Sequence, residues 1–470
     1  MTLLRAALRP RSEPPPEDLE KSFTINYKWW YAVICPMRIV DLIQRKRDGE
    51  ELAPEELTAL LEAYSRNEVP DYQMAAFLMA VYFSGMSDAE VTALTSHLLQ
   101  TAAPLDLSAV PGVKVDMYST GGVGDKTAMI AAPLAASAGV VVPMLAERAL
   151  GAIGGTLDKL ESIPGFRTDL STDEFRTQLN QIGLAYSAGS PDMVPADARL
   201  RVLRENTATM ESVPLMAASV MAKKLATGLD ASVVDIKVGS GGGLRRQVKA
   251  RRLAQMMVAI ARRSDKRVQA LITDMNQPLG YAIGNALEVM EASQTLQNVG
   301  PTDLTALSLE LAARMIYLGE VTATIGEARE MAQAKLLDGS GYQKFKEVIE
   351  AQGGNPQVLD RFDLLPNAMG AREILSPRTG FITGIDAHDI GVAAGMIGAS
   401  RENRDEPIDP AVGVILEVKV GQKVDEGAVL CRLYYTNEDR LDEAAEQVED
   451  AFRISNHPPD ETNLILEVVG

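Results

Sequence analysis

The sequence predicts a mixed α/β protein in three parts: a helical domain, a large and mostly parallel α/β domain, and a C-terminal α+β domain. Three observations carry this. From Met37 to about Thr101 every periodic segment has helical spacing. Near Val113 short apolar strands begin to alternate with helices. After about Pro366 short strand-like segments are separated by glycines. At 470 residues the chain is also too long for one compact core.

Taken in order, residues 1–36 read as an extension. Met1 to Pro16 carries Arg5, Arg9, Arg11 and a Pro-Pro-Pro run, and Tyr27 to Pro36 is aromatic. No continuous apolar run ends in a small-residue cleavage site, so a signal peptide is not expected. The segment is either disordered or the product of a start upstream of Met37. Residues 37–108 hold an amphipathic helix opening at Met37 and further helices at Glu55–Ser65, Tyr72–Phe83 and Asp88–Leu99. Residues 195–228 are helical again and return the chain to this first domain. The α/β domain takes 109–194 and 229–366, with strands expected at Val113–Met117, Val140–Met144, Ala231–Lys237 and Val268–Thr273. The uncharged stretch Ala128–Ala146 approaches membrane-spanning length, but Pro133, Gly139 and Pro143 interrupt it, so it reads as a buried helix followed by a buried strand. Residues 367–470 form the C-terminal domain, with strands in Gly413–Val420 and Ala428–Leu433 and a closing helix near Glu443–Ile454.

Composition excludes several classes of function. Apolar residues at 46% and charged residues at 23% are globular proportions. Sixty-four acidic against 46 basic residues give a net charge of −18, which offers no electrostatic footprint for nucleic acid and is repelled by anionic lipid. Two cysteines, Cys35 and Cys431, make no disulfide framework, and three histidines leave no Cys/His metal cluster. A soluble protein of the reducing cytoplasm is expected, with no organic cofactor, no nucleic-acid partner and no membrane partner. His97, His388 and His457 stand in no motif and read as surface or capping residues. Lys419 and Lys423, near a lipoyl-like turn, read as exposed strand and turn lysines.

The chemistry begins at Ser119-Thr120-Gly121-Gly122-Val123-Gly124-Asp125, between a strand and a helix, where backbone N–H groups can cradle an anion. A second loop, Arg148 to Glu161, follows the next strand and would face the same crevice. A third element is Arg204 with Ser219 and Lys223; the last two are four residues apart, so a helix places a hydroxyl and an ammonium on one face. A glycine loop alone is also an ordinary tight turn, and a Ser/Lys face is also an ordinary solvated helix.

Together these elements resemble one family. From Met37 to the C-terminus the chain is similar to the pyrimidine-nucleoside and thymidine phosphorylases. The resemblance is carried by Met37 to Ile43, Val69-Pro70-Asp71-Tyr72-Gln73-Met74-Ala75-Ala76, Ser119 to Asp125, Gly154 to Glu161, Ser212 to Leu215, Ala222 to Leu225, and Asp274 to Gly280. It implies the nucleoside phosphorylase-II type fold, a homodimer through the helical domain, and reversible phosphorolysis of a pyrimidine nucleoside to free base and pentose 1-phosphate. It makes Arg204, Ser219 and Lys223 the residues that hold the pyrimidine, with Arg204 and Lys223 stabilising charge on the departing ring. Ser119, Thr120, Gly121 and Gly122 become substrate-binding residues. The resemblance also implies a potassium site of backbone carbonyls and one carboxylate at Gly124, Lys126, Leu279, Ala282 and Glu291, where the Lys126 ammonium stands beside the cation.

The phosphate side chains do not carry over. The family's Lys-His-Ser-Thr-Gly-Gly is Met117-Tyr118-Ser119-Thr120-Gly121-Gly122 here, and a hydroxyl residue in the next helix is Ala128. A phosphate serine is Ala146, a glycine is Glu147, a phosphate threonine is Ile153, and a phenylalanine lining the base pocket is Gly243. One ammonium and three hydroxyls lost correspond to roughly 4–6 kcal/mol, or about 10³–10⁴ in phosphate affinity. Three readings therefore stand. The chain is a divergent phosphorylase, with Arg148, Lys126 or backbone N–H groups substituting at the phosphate. Or it is a hydrolase- or lyase-like relative, with Glu147 as general base and Tyr118 bonding the base. Or it is a non-catalytic pyrimidine-binding pseudoenzyme.

Overall fold

A computed structural model of the protein describes residues 38–148, 151, 154–401 and 406–470. The extension expected at 1–36 lies outside them, as does Ile153.

Four helices open the described chain: α1 (Ile39–Arg47), α2 (Pro54–Ser65), α3 (Asp71–Ser84) and α4 (Asp88–Gln100). Their starts follow local chemistry. Pro54 occupies the first turn of α2, where its missing N–H costs nothing. Ser87 caps α4 in a box with Glu90. Glu90 is itself buried and accepts from the Lys46 ammonium at 2.7 Å and from the Leu52 N–H at 2.9 Å. Leu60, Met74, Phe77, Leu78 and Leu98 form one core with Leu200, Leu215, Ala218 and Met221. The chain thus returns to this layer through its later helices. His97 is buried in that layer rather than on the surface, with Nε2 3.3 Å from the Ser65 hydroxyl. His388 and His457 are exposed.

Beyond them run β1 (Val115–Ser119), α5 (Ala128–Ser137), β2 (Val142–Ala146), α6 (Thr156–Leu160), α7 (Thr172–Ile182) and β3 (Leu184–Ala188). Two helices, α8 (Pro195–Glu205) and α9 (Val213–Ala226), then visit the helical layer before β4 (Ala231–Val238), α10 (Gln247–Arg263) and β5 (Arg267–Asp274). Strands β1, β4 and β5 are parallel, with Met117 opposite Val233 and Val234 opposite Ala270. Strands β2 and β3 pair separately, also in parallel. Every residue of β4 is buried, as a strand covered on both faces must be. One face meets α10 and the helical layer. The other meets α5 and, later in the chain, α11 (Asn285–Leu296), α12 (Thr302–Leu318), α13 (Ile325–Leu337) and α14 (Ser340–Ala351), while the short β6 (Ala282–Ile283) between β5 and α11 pairs with a strand of the C-terminal part. The uncharged stretch is α5 followed by β2, as expected. Among the described residues no helix is long and apolar enough to cross a membrane.

The C-terminal part differs more from expectation. It holds β7 (Gly370–Leu375), β8 (Gly380–Ile385), α15 (Ala387–Met396), β9 (Gly413–Leu416), β10 (Lys423–Val424), β11 (Val429–Tyr435) and α16 (Leu441–Ala451). The last helix stops at Ala451, and Phe452–Ser455 is a strand, β12, paired with β8. A final strand, β13 (Ile465–Val469), leaves this part and pairs antiparallel with β5, closing the edge of the main sheet. The strand expected to reach Val420 ends at Leu416. Lys419 is buried rather than exposed, with its ammonium on the Pro278 and Gly280 carbonyls at 2.5 and 2.9 Å. Cys431 is buried, which pushes its thiol up to about 12 and leaves it unreactive.

Candidate functional site

The site lies where α8 and α9 of the helical layer meet the ends of β1 and β2. Helix α8 presents Asp197, Arg201 and Arg204, spaced by four and three residues. Helix α9 presents Leu215, Ser219 and Lys223, spaced by four. Arg204 is buried. One guanidinium nitrogen donates to the Met210 carbonyl at 2.9 Å and another approaches the Leu215 carbonyl at 3.5 Å, one turn before Ser219. Its Nε has no partner among the described residues, and burial lowers its affinity for the proton. Ser219 is buried on the same side. The structure therefore brings Arg204, Ser219 and Lys223 to one wall.

Glu147, just past β2, closes that wall from the opposite domain. One carboxylate oxygen accepts from Lys223 Nζ at 2.5 Å, and the other is paired with Arg201. Arg201 also donates to Glu205 at 3.0 Å, and Asp197 lies 3.6 Å from Lys223. Two cations, Arg201 and Lys223, are thus held by three carboxylates. Partial desolvation works to raise the Glu147 carboxyl, but the Lys223 ammonium and the Arg201 guanidinium outweigh it and hold the group at about 2. A group held that low and engaged at both oxygens is a poor proton acceptor at neutral pH, which counts against Glu147 as general base. Tyr118 stands at the end of β1 facing the same charges, and burial raises its phenol further, so it is present as a neutral hydroxyl. Arg201 was missed in the sequence, although its spacing to Asp197 and Arg204 marks it on their face.

The glycine loop fills its own bonding capacity. Ser119 donates to Asp125 at 2.5 Å and accepts from the Gly121 N–H at 3.1 Å. The Thr120 N–H donates to the Asp235 carbonyl and its hydroxyl accepts from the Lys237 N–H, both at 2.9 Å. Gly122 bridges to Gly242, so the glycine loop lies against residues 239–243, the glycine-rich segment that follows β4. A Cβ at Gly122 would lie 2.6 Å from Met275 Cε, so a side chain there would displace the end of that methionine. For Asp125, burial opposes ionisation, but Lys237, Lys159 and the Ser119 and Thr127 hydroxyls bring it down to about 2. Met117 and Ala128 are buried in the core. Arg148, a candidate substitute at the phosphate, is instead paired with Glu161 and 3.3 Å from the Thr168 hydroxyl.

The residues expected to hold potassium also converge, around a different occupant. The Leu279 and Ala282 carbonyls and the Glu291 carboxylate all point at the Lys126 ammonium. Gly124 packs against the same carbonyls; a Cβ there would lie 2.5 Å from the Leu279 oxygen. The cage is matched to an ammonium already inside it, and an added potassium ion does not fit. Among the described residues no group of three or more His, Cys, Asp or Glu could hold a metal.

A helical layer over a parallel α/β domain, with the site at the strand ends between them, defines the class. Residues 40–102 match the helical bundle domain of the glycosyl transferase family and residues 112–342 its a/b domain. Residues 381–455 match the pyrimidine nucleoside phosphorylase C-terminal domain. The chain is 43% identical to the pyrimidine-nucleoside phosphorylase of Geobacillus stearothermophilus, over 92% of this chain and all of that one. It is 41% identical to the same-named protein of Staphylococcus haemolyticus, over 89% and 96%. The chain belongs to the pyrimidine-nucleoside phosphorylase family. Its fold is also similar to the crystal structure of anthranilate phosphoribosyltransferase from Thermus thermophilus, with TM-score 0.52, 18% identity, and coverage of 66% of this chain and 98% of that one.

Proposed function

We propose that this chain is a member of the family that binds a pyrimidine or pyrimidine nucleoside and no longer uses inorganic phosphate as co-substrate. The observation that carries this is the bridge from Glu147 to Lys223 and Arg201, beside a buried Arg204 whose Nε is unpaired among the described residues. A neutral pyrimidine edge offers carbonyl oxygens and a ring N–H, which suits a guanidinium, an ammonium and a hydroxyl. Phosphate is an anion and would meet the Glu147 carboxylate. The cations that could offset it are engaged: Arg148 with Glu161, Lys126 with Glu291, Lys159 with Glu288 at 2.7 Å, and Lys237 with Asp235 at 2.6 Å. Ser119, the one phosphate side chain kept, is bonded to Asp125.

The competing reading is phosphorolysis itself, favoured by 41–43% identity to proteins named for it. Water as acceptor is disfavoured because Glu147 is a weak base. A homodimer through the helical layer belongs to the same proposal. Tyr72 and Phe83 lie on one stripe of α3, exposed at 75% and 79%, and such a contact would cover them.

The test is release of free base from uridine, thymidine and deoxyuridine, with and without phosphate, together with thermal melting in uracil, thymine and uridine. The expected result is no release in either buffer and a ligand-dependent rise in Tm that Lys223→Ala abolishes. Release that requires phosphate and is lost in Lys223→Ala would establish the phosphorylase instead. Release without phosphate would make water the acceptor.

A further inference from the structure

The cage behind the glycine loop carries its own cation. Lys126 lies between the loop and the start of α5, and its side chain is fully buried at 0% exposure. Three acceptors converge on Nζ: the Leu279 carbonyl at 3.1 Å, the Ala282 carbonyl at 2.8 Å and Glu291 Oε2 at 2.5 Å. An ammonium has three N–H bonds and no lone pair, so three acceptors saturate it. The second Glu291 oxygen accepts from the N–H groups of Tyr281 at 2.8 Å and Ala282 at 3.2 Å. The walls are close. A Cβ at Gly280, whose φ is +69°, would lie 2.2 Å from Glu291 Oε2 and 3.1 Å from Lys126 Nζ. Outside the cage Lys419 holds the neighbouring Pro278 and Gly280 carbonyls and pairs with Asp303 at 2.9 Å.

One buried positive charge neutralises the one buried carboxylate. A potassium ion at the same oxygens would need the point that Nζ occupies, and would leave a second buried cation without a counter-charge. We infer that the Lys126 ammonium is a tethered replacement for the family's potassium ion, so that this chain neither needs nor binds potassium there. The cation is then fixed by a covalent tether and cannot be diluted away. It joins the segment after the glycine loop to residues 279–282 and Glu291 whatever the salt outside. This holds whether or not phosphate is used.

The test compares full-length protein in potassium chloride, sodium chloride and choline chloride at equal ionic strength, by thermal melting and by flame photometry of potassium retained after desalting. The unsubstituted protein is expected to show the same Tm in all three salts and no stoichiometric potassium. A saturable, potassium-specific rise in its Tm, or one bound ion per chain, overturns the inference; this arm needs no variant. Lys126→Ala empties the cage and is expected to lower Tm. Potassium chloride, but not choline chloride, should restore part of the loss. A folded Lys126→Ala protein that melts alike in both salts overturns the claim that the ammonium stands in for potassium.

Discussion

At Glu147 a single carboxylate holds the two cations that a ligand would otherwise meet. Lys223 is about one-third exposed and Glu147 more so, at 30% and 43%, so solvent and salt weaken the bridge, and a ligand can compete for Lys223. Removing the carboxylate in Glu147→Gly frees one charge-assisted donor. Such a bond contributes about 1.5–3 kcal/mol, so uridine should bind roughly tenfold to a hundredfold more tightly by calorimetry. An unchanged Kd would show that Lys223 does not reach the ligand. The pH dependence has a definite sign. The carboxyl is held below its ordinary value of 4.5, at about 2. Its contribution is therefore fully present above pH 4.5 and lost only as pH falls towards 2. Between pH 5 and 8 Glu147 adds no slope to ligand binding, and the bridge does not act as an acid switch in that range.

The orientation of α9 depends on a neighbouring pair. Lys224 is buried and reaches Asp116 of β1 at 2.5 Å, while Asp116 also accepts from Ser232 at 2.9 Å. This pair locks the rotation of α9 that points Lys223 and Ser219 into the cleft. Lys224→Met would leave Asp116 buried and without its counter-charge, a loss of about 3–5 kcal/mol. Urea denaturation should show it as a lowered midpoint with an unchanged slope, and a fall below about 1 kcal/mol would refute the structural role given to the pair. Elements of this kind divide sharply in how far the sequence discloses them. The Ser87–Glu90 box, the Pro54 start and the four-residue spacing of Ser219 and Lys223 are local, so periodicity and capping reveal them. The Lys223–Glu147 bridge spans 76 residues of sequence and the Lys224–Asp116 pair 108, and no local pattern encodes either. Strand β13 was missed because a five-residue segment interrupted by Glu467 carries no partner in its own sequence; its place is set by the open edge of β5.

Across the whole molecule, the family membership is shown over most of the chain, while the proposed change of task rests on a few side chains around the glycine loop. The strand order, the glycine loops and the wall formed by α8 and α9 are present. The resemblance expects the family's phosphate and base contacts at Met117, Tyr118, Ala128, Ala146, Glu147 and Ile153, the last outside the described residues. Met117→Lys alone would place an ammonium in the core that now holds that side chain, among Val115, Ala128 and Met144, and should destabilise without conferring activity. The six substitutions Met117→Lys, Tyr118→His, Ala128→Ser, Ala146→Ser, Glu147→Gly and Ile153→Thr together supply acceptor-free donors and remove the opposing carboxylate. They recover the roughly 4–6 kcal/mol of phosphate binding attributed to the missing ammonium and hydroxyls. The combined variant should therefore release uracil from uridine only when phosphate is present, and lose that release on Lys223→Ala. Restoring Glu147 in that background should abolish release again, because the carboxylate recaptures Lys223 and repels the anion. A combined variant that keeps its far-ultraviolet circular dichroism and cooperative melt yet releases no base would place the block elsewhere, in the approach of the two domains rather than in these side chains.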